Sequence, residues 1–196
     1  ISKNNFLATS SIKFLNDADF IIVALPTPIT IDKQPDNSHL INFSSNLEKI
    51  NLKGKVLCLE STVYPSATEE IFLPLVNKQN LKIGKNFFLG YSPERIDPSN
   101  RKFMVEDIPK IVSGYSVKCL QVINKLYSKI TKTVKASSIR TAEFTKCFEN
   151  VFRSINISFA NEMKMLSHKL NLDIFETIKL ANTKPDNRPF CPTIII

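Results

Sequence analysis

Short β-branched apolar runs alternate with amphipathic helical stretches through the first half of this chain, and that alternation limits its fold more than any other feature. Phe20-Ile-Ile-Val-Ala-Leu25, Lys55-Val-Leu-Cys-Leu59 and Asn86-Phe-Phe-Leu-Gly90 each read as a buried strand, with a weaker run at Lys110-Ile-Val-Ser113. Between the first two, Leu40, Phe43, Leu47 and Ile50 recur every three or four residues behind a helix cap at Asn37 or Ser38. The next helix follows Pro65, where Ser66-Ala-Thr-Glu69 has the spacing of a capping box. Strands and helices in this order predict βαβ units and a parallel sheet.

The second half has a different grammar. From Ser137 to Lys184 there is no Gly and no Pro, and Phe144, Phe148, Val151, Ile155, Phe159, Met163, Leu166 and Leu170 keep a helical period. One helix over Ser138–Leu170 would be about 50 Å long, more than a small domain requires. It therefore reads as an interdomain spine or as a surface for a second subunit. A last helix is predicted over Asp173–Asn182, before Pro185.

Composition removes several classes of function. The only glycines are Gly54, Gly84, Gly90 and Gly114, so the chain contains no G-x-G-x-x-G and no Walker loop. The net charge of +8 comes from 26 basic and 18 acidic residues. Of the basic residues 21 are Lys, and the chain also carries 23 Ile and 18 Asn, a set that A/T-rich codons favour. The lysines are scattered without interleaved aromatics, so no nucleic-acid partner is expected. Cys58, Cys119, Cys147 and Cys191 lie tens of residues apart, with only His39 and His168 to join them, and no metal site is expected. Free thiols in a chain with an ordinary apolar core suit a reducing compartment. The longest apolar run, Phe20–Leu25, is too short to span a bilayer, and the beginning has no signal-peptide pattern; the expectation is a cytoplasmic protein with no membrane partner. A start at Ile1 without Met and the finish at Thr193-Ile-Ile-Ile196 read as a fragment.

In open parallel sheets ligands bind beyond the carboxyl ends of the strands. The first strand here runs into Pro26-Thr27-Pro28, the second into Glu60-Ser61-Thr62, and the third into Tyr91-Ser92-Pro93-Glu94-Arg95. Thr27 and Thr62 could each do no more than cap a turn. Glu94 suits a general base or a water-orienting carboxylate, or equally one half of a surface ion pair. Lys146 and Asn150 share one face of the long helix, which makes them a pair of donors to a developing oxyanion or two residues of a solvated face.

Taken together, Ala24-Leu-Pro-Thr-Pro28, Glu60-Ser-Thr-Val-Tyr-Pro65, Gly90-Tyr-Ser-Pro-Glu-Arg-Ile-Asp-Pro98 and Lys146-Cys-Phe-Glu-Asn150, in that order, resemble the UDP-glucose/GDP-mannose dehydrogenase family over Asp19 to about Pro192. Within it, the two middle motifs are most similar to the bacterial branch acting on UDP-N-acetylglucosamine. The resemblance implies an α/β fold, in which a partial Rossmann-like parallel sheet (residues 1–135) is followed by a long central helix and an all-α, dimerising segment (136–196). It implies NAD as cofactor, a UDP-sugar as substrate, and two-step oxidation of the sugar C6 alcohol through a thioester on a Cys. Pro26, Thr27 and Pro28 would line the cofactor site, Thr62 would lie near the nicotinamide, and Glu94 would orient the hydrolytic water close to the cofactor. Lys146 and Asn150 would stabilise the oxyanion and bind substrate, with Arg95 and Asp97 near the sugar.

Two family features are missing from the sequence. There is no glycine loop for the pyrophosphate, and the Gly-Gly-His-Cys nucleophile motif is absent; Cys191, in Pro189-Phe-Cys-Pro192, aligns ahead of it. The chain as written is therefore expected to be inactive. A β-hydroxyacid or 6-phosphogluconate-type dehydrogenase is the alternative enzyme reading, and a non-catalytic dimerisation remnant is the alternative outside enzymes.

Overall fold

The computed structural model describes residues 6–96 and 104–184, apart from the side chain of Val105. Two compact units emerge, one up to Cys147 and one from Phe148 onward.

In the first unit five strands, β1 (Phe20–Val23), β2 (Val56–Leu59), β3 (Phe88–Tyr91), β4 (Lys110–Gly114) and β5 (Thr133–Lys135), form a sheet in sequence order. Helices α1 (Ser38–Leu47), α2 (Ala67–Lys78) and α3 (Val117–Tyr127) connect them. Every residue of β2 is buried, which is why its sequence is continuously apolar instead of alternating. Leu57 and Leu59 join Leu40, Leu47, Phe72 and Leu75 of α1 and α2 in one core. Val56 and Cys58 point the other way and join Val112, Ile123 and Tyr127 in a second.

β1, β2 and β3 are parallel, as the sequence predicts. β4 is not: it runs antiparallel to β3, with Tyr91 opposite Ser113, and β5 then runs parallel to β4. The described part of the β3–β4 connection holds a three-residue 3-10 turn, Val105–Asp107, and antiparallel neighbours, unlike parallel ones, do not require a crossover connection. Helix α3 and strand β5 carry no expectation from the sequence. Ser116 caps α3, accepting from the Cys119 amide at 3.3 Å. α3 lies so close to the sheet that a Cβ on Gly90 would come within 2.1 Å of Ile123 Cδ1; glycine in the Tyr-Ser-Pro-Glu strand is a packing requirement.

Both predicted caps need correction. Asn37 makes no side-chain cap; Asp36 Oδ1 accepts from the Ser38 amide at 2.9 Å instead. Ser66 has φ +88° and makes no side-chain cap either, and the amides at the start of α2 are satisfied from a distant helix, described below.

The long helix α4 (Ile139–Lys169, 31 residues) confirms the predicted span and is about 46 Å long. Its first turns place Ile139 and Ala142 in the first unit's core, and it continues into the second unit. There Phe148, Phe152 and Ile155 are 61%, 60% and 63% exposed. α5 (Ile174–Ala181) follows, capped by Asp173, which accepts from the Phe175 amide at 2.8 Å. No helix of the described residues is long and apolar enough to cross a membrane.

Candidate active site

The carboxyl ends of β1, β2 and β3 are stitched together by side chains from the residues just beyond them. Ser61 accepts from the Leu25 amide at 2.8 Å and donates back to the Leu25 carbonyl at 2.7 Å, so two strand ends share one small buried hydroxyl. Thr27 Oγ1 donates to the Thr62 carbonyl at 2.7 Å. Ser92 and Ser113 perform the same task between β3 and β4, donating to the Ile111 and Tyr91 carbonyls at 2.7 Å each. A loop that would otherwise be free at a sheet edge is thus held by buried, satisfied hydrogen bonds.

On this rim Pro26, Pro28, Thr62 and Glu94 are exposed, and Thr27 and Arg95 are half-buried. Glu94 Oε1 accepts from the amides of Arg95 and Ile96 at 2.7 and 2.6 Å, and Oε2 lies 3.0 Å from Lys110 Nζ. Burial pulls the Glu94 pKa upward, but the Ile96 amide, the Lys110 ammonium and the Arg95 amide outweigh it and leave the carboxyl below its ordinary range. The guanidinium of Arg95 donates to the Pro109 carbonyl at 2.9 Å. Asp97 lies outside the described residues, as do Cys191 and its neighbours.

Lys110 is not a candidate from the sequence. It also reaches Glu60 Oε1 at 3.1 Å, and the Tyr127 hydroxyl of α3 donates to that same oxygen.

The start of α4 packs onto the loop between β2 and α2. Glu143, fully buried, accepts from the Ser66 amide at 2.6 Å, the Thr68 amide at 2.9 Å and the Thr68 hydroxyl at 2.6 Å. A carboxylate at a helix N-terminus satisfies orphan donors and the helix dipole together; this is the cap that Ser66 does not provide. Burial nevertheless pushes the Glu143 pKa up against the pull of these donors. One turn on, the Cys147 thiol donates to the Val63 carbonyl at 3.3 Å. Lys146, half-buried, occupies the turn between these two contacts, and Asn150, also half-buried, belongs to the second unit. The structure thus brings Thr27, Thr62, Glu94 and Arg95 to one rim and braces the helix that carries Lys146 against it.

Cys58 and Cys119 are buried and Cys147 is half-buried. Burial pushes the Cys58 thiol up to about 12 and raises that of Cys147 as well, so neither is an activated nucleophile, and Cys119 is fully enclosed. Among the described residues no group of three or more His, Cys, Asp or Glu is placed to hold a metal ion.

Residues 1–131 match the NAD binding domain of the UDP-glucose/GDP-mannose dehydrogenase family, and residues 140–194 match the central domain of the same family. The chain belongs to this family. It is 39% identical to protein CapL of Staphylococcus aureus over 198 aligned positions, covering all of this chain and 47% of that protein. It is 38% identical to UDP-N-acetyl-D-glucosamine 6-dehydrogenase of Pseudomonas aeruginosa, covering 95% of this chain and 45% of the relative. The structure superposes on UDP-D-ManNAc dehydrogenase of Pyrococcus horikoshii with a TM-score of 0.77 and 30% identity, over 89% of this chain and 42% of that one. The chain spans a little less than half the length of these relatives.

The matched domain names NAD, and the rim fits one end of such a cofactor. Pro26 and Pro28 offer exposed ring surface without amide hydrogens, and Thr62 adds a hydroxyl at the adjacent strand end. The amide-rich glycine loop that would cradle a pyrophosphate is not part of this sequence.

Proposed function

We propose that this chain serves an NAD-dependent UDP-sugar 6-dehydrogenase, which oxidises the C6 alcohol of a UDP-sugar to the uronic acid for surface polysaccharide synthesis in the cytoplasm. The observation that carries this reading is the convergence of Thr27, Thr62 and a pinned, ionised Glu94 at three strand ends, within a chain that matches the family over nearly its whole length. UDP-N-acetylglucosamine is the favoured substrate, because the relative named for it is 38% identical while the structure named for the mannosamine epimer is 30% identical.

NAD, when bound, accepts hydride from C6. Pro26, Thr27 and Pro28 would line its site on the pyrophosphate side, and Thr62 would help hold it on the nicotinamide side. Glu94 accepts a hydrogen bond from the water that hydrolyses the acyl intermediate; an ionised carboxylate fixed by two amides orients that water without spending reorganisation energy. Lys146 and Asn150 donate to the oxygen on C6 as it gains charge, and Arg95 and Asp97 contact the sugar. The three described thiols are unsuited to form the acyl bond, so the nucleophile comes from elsewhere. Residues 1–135 act as the cofactor domain and 136–196 as the central region, with α4 pairing two copies through its exposed apolar face.

The test is NADH formation by the protein expressed with the coding sequence that flanks this chain, offered UDP-N-acetylglucosamine, UDP-N-acetylmannosamine and UDP-glucose in turn. Turnover of the first at the highest kcat/KM is expected, and turnover of none overturns the reading. The 196 residues alone should form no NADH.

A further inference from the structure

The reversal of β4 has a chemical consequence. Because β4 is antiparallel to β3, its first residue, Lys110, lies at the same rim as the last residues of β2 and β3. A parallel β4 would have put that residue at the opposite end of the sheet. At the rim the Lys110 side chain is only 14% exposed, and its ammonium lies 3.0 Å from Glu94 Oε2 and 3.1 Å from Glu60 Oε1. The ring of Tyr127 lies beneath it, with its centroid 5.3 Å from Nζ, and the hydroxyl of the same ring donates to Glu60.

We propose that Lys110 is a positioning residue for Glu94: shared between two carboxylates from neighbouring strand ends, it keeps Glu94 ionised and fixed, and Glu60 sets how much of the lysine charge Glu94 receives. This rests on the reading of Glu94 given above as the water-orienting group. Among the described residues, four further groups lie at this cluster. Glu60 comes from the end of β2, Tyr127 from α3, Cys58 from β2, and Arg95 from the residue after Glu94. Tyr127 and Cys58 are held neutral by burial, their pKa values pushed upward. Arg95 turns its guanidinium to the Pro109 carbonyl. Among the described residues, the charges in close contact with Lys110 are those of Glu60 and Glu94.

With Lys110 between Glu60 and Glu94, substitutions at Lys110 and at Glu60 shift Glu94 in opposite directions. Removing the ammonium leaves Glu94 beside a like charge, and both effects push its pKa up. Removing the Glu60 charge leaves Lys110 to Glu94 alone and pushes its pKa down. A lysine that only filled space would give neither shift.

The experiment is a pH titration of the Glu94 side-chain carboxyl carbon by NMR in the 196-residue chain, with the resonance assigned through Glu94→Gln. Lys110→Met should raise the Glu94 pKa by about one to two pH units, Lys110→Arg should return it to near the parent value, and Glu60→Gln should lower it. A Glu94 titration unmoved by Lys110→Met overturns the proposal. If Lys110→Met does not fold, Glu60→Gln decides: an unmoved or raised Glu94 pKa overturns it just as well. In the protein that turns over UDP-sugar, the acid limb of the pH–kcat profile should move in the same directions. Shifted NMR titrations without any UDP-sugar oxidation would refute the functional reading and leave the electrostatic link standing, whereas turnover with unshifted titrations would refute the link alone.

Discussion

Up to Cys147 the chain closes its own core on both faces of a sheet, whereas from Phe148 onward most of the described large apolar side chains face water. Phe72 of α2 and Phe148 of α4 are the same residue type in the same kind of element, yet one is fully buried and the other 61% exposed. Helical stability comes chiefly from packing an apolar stripe, and the stripe on α4 beyond Cys147 is left exposed. The first unit is stabilised by its own contacts, and the second leaves the apolar stripe of its helix to solvent, the face through which we propose that two copies pair.

Truncation at the two phenylalanines is the most severe way to break this comparison. Phe72→Ala should cost about 3–5 kcal/mol of stability through lost transfer energy and a cavity. Phe148→Ala should cost about 1 kcal/mol or less in the monomer. Urea denaturation of both variants at a concentration where the chain is monomeric checks this, and equal costs would mean that Phe148 is buried within one copy.

Glu143 tests whether the first unit depends on its tertiary cap. Glu143→Ala leaves the Ser66 and Thr68 amides and the Thr68 hydroxyl without their acceptor, and should cost about 2–3 kcal/mol. Its pKa is raised in the folded state, so the native chain binds that proton more tightly than the unfolded one does. The corresponding stability is complete below the ordinary carboxylate range and is lost as pH rises through the folded pKa. Urea midpoints measured against pH should therefore fall over that interval in the parent and flatten in Glu143→Gln; an unchanged slope would assign the dependence to another group.

A charge on the exposed stripe should act in the opposite sense. Phe152→Asp, at a residue 60% exposed, should leave the unfolding midpoint of the monomer nearly unchanged and weaken self-association about tenfold or more, because a desolvated carboxylate has no partner there. Light scattering across a dilution series reads this directly. A parent chain that stays monomeric at the highest concentration would remove α4 as an interface.

What could be read in the sequence follows the range of the interactions. β1, β2, β3, α4 and α5 are legible because their periods repeat within a few residues, and so are the rim positions of Thr27, Thr62 and Glu94, which lie within four residues of strand ends. Ser66 shows where local reading stops. The capping-box spacing is present, but φ of +88° turns the residue into a left-handed bend, and the acceptor that serves its amide is 77 residues away in Glu143. Lys110 was hidden for a related reason. Its run reads as a strand whichever way it points, and only pairing with β3 decides at which end of the sheet the ammonium emerges.

The smallest effect sharpens the contrast between charges at the rim and charges on the surface. Lys78 and Glu48 approach to 2.6 Å, closer than Lys110 comes to either of its partners, but their side chains are 62% and 40% exposed. Distance alone would rank this pair first. Solvent screening and the entropy of holding two long side chains cancel most of the attraction, so Lys78→Ala should change stability by about 0.5 kcal/mol or less, an effect that added salt should reduce further. Lys110→Ala, 14% exposed between two carboxylates, should cost more and respond less to salt. Urea midpoints for the two variants at low and high salt decide the matter: a larger loss from Lys78→Ala would show that proximity outweighs burial in this chain, and would weaken the case for a special role at the rim.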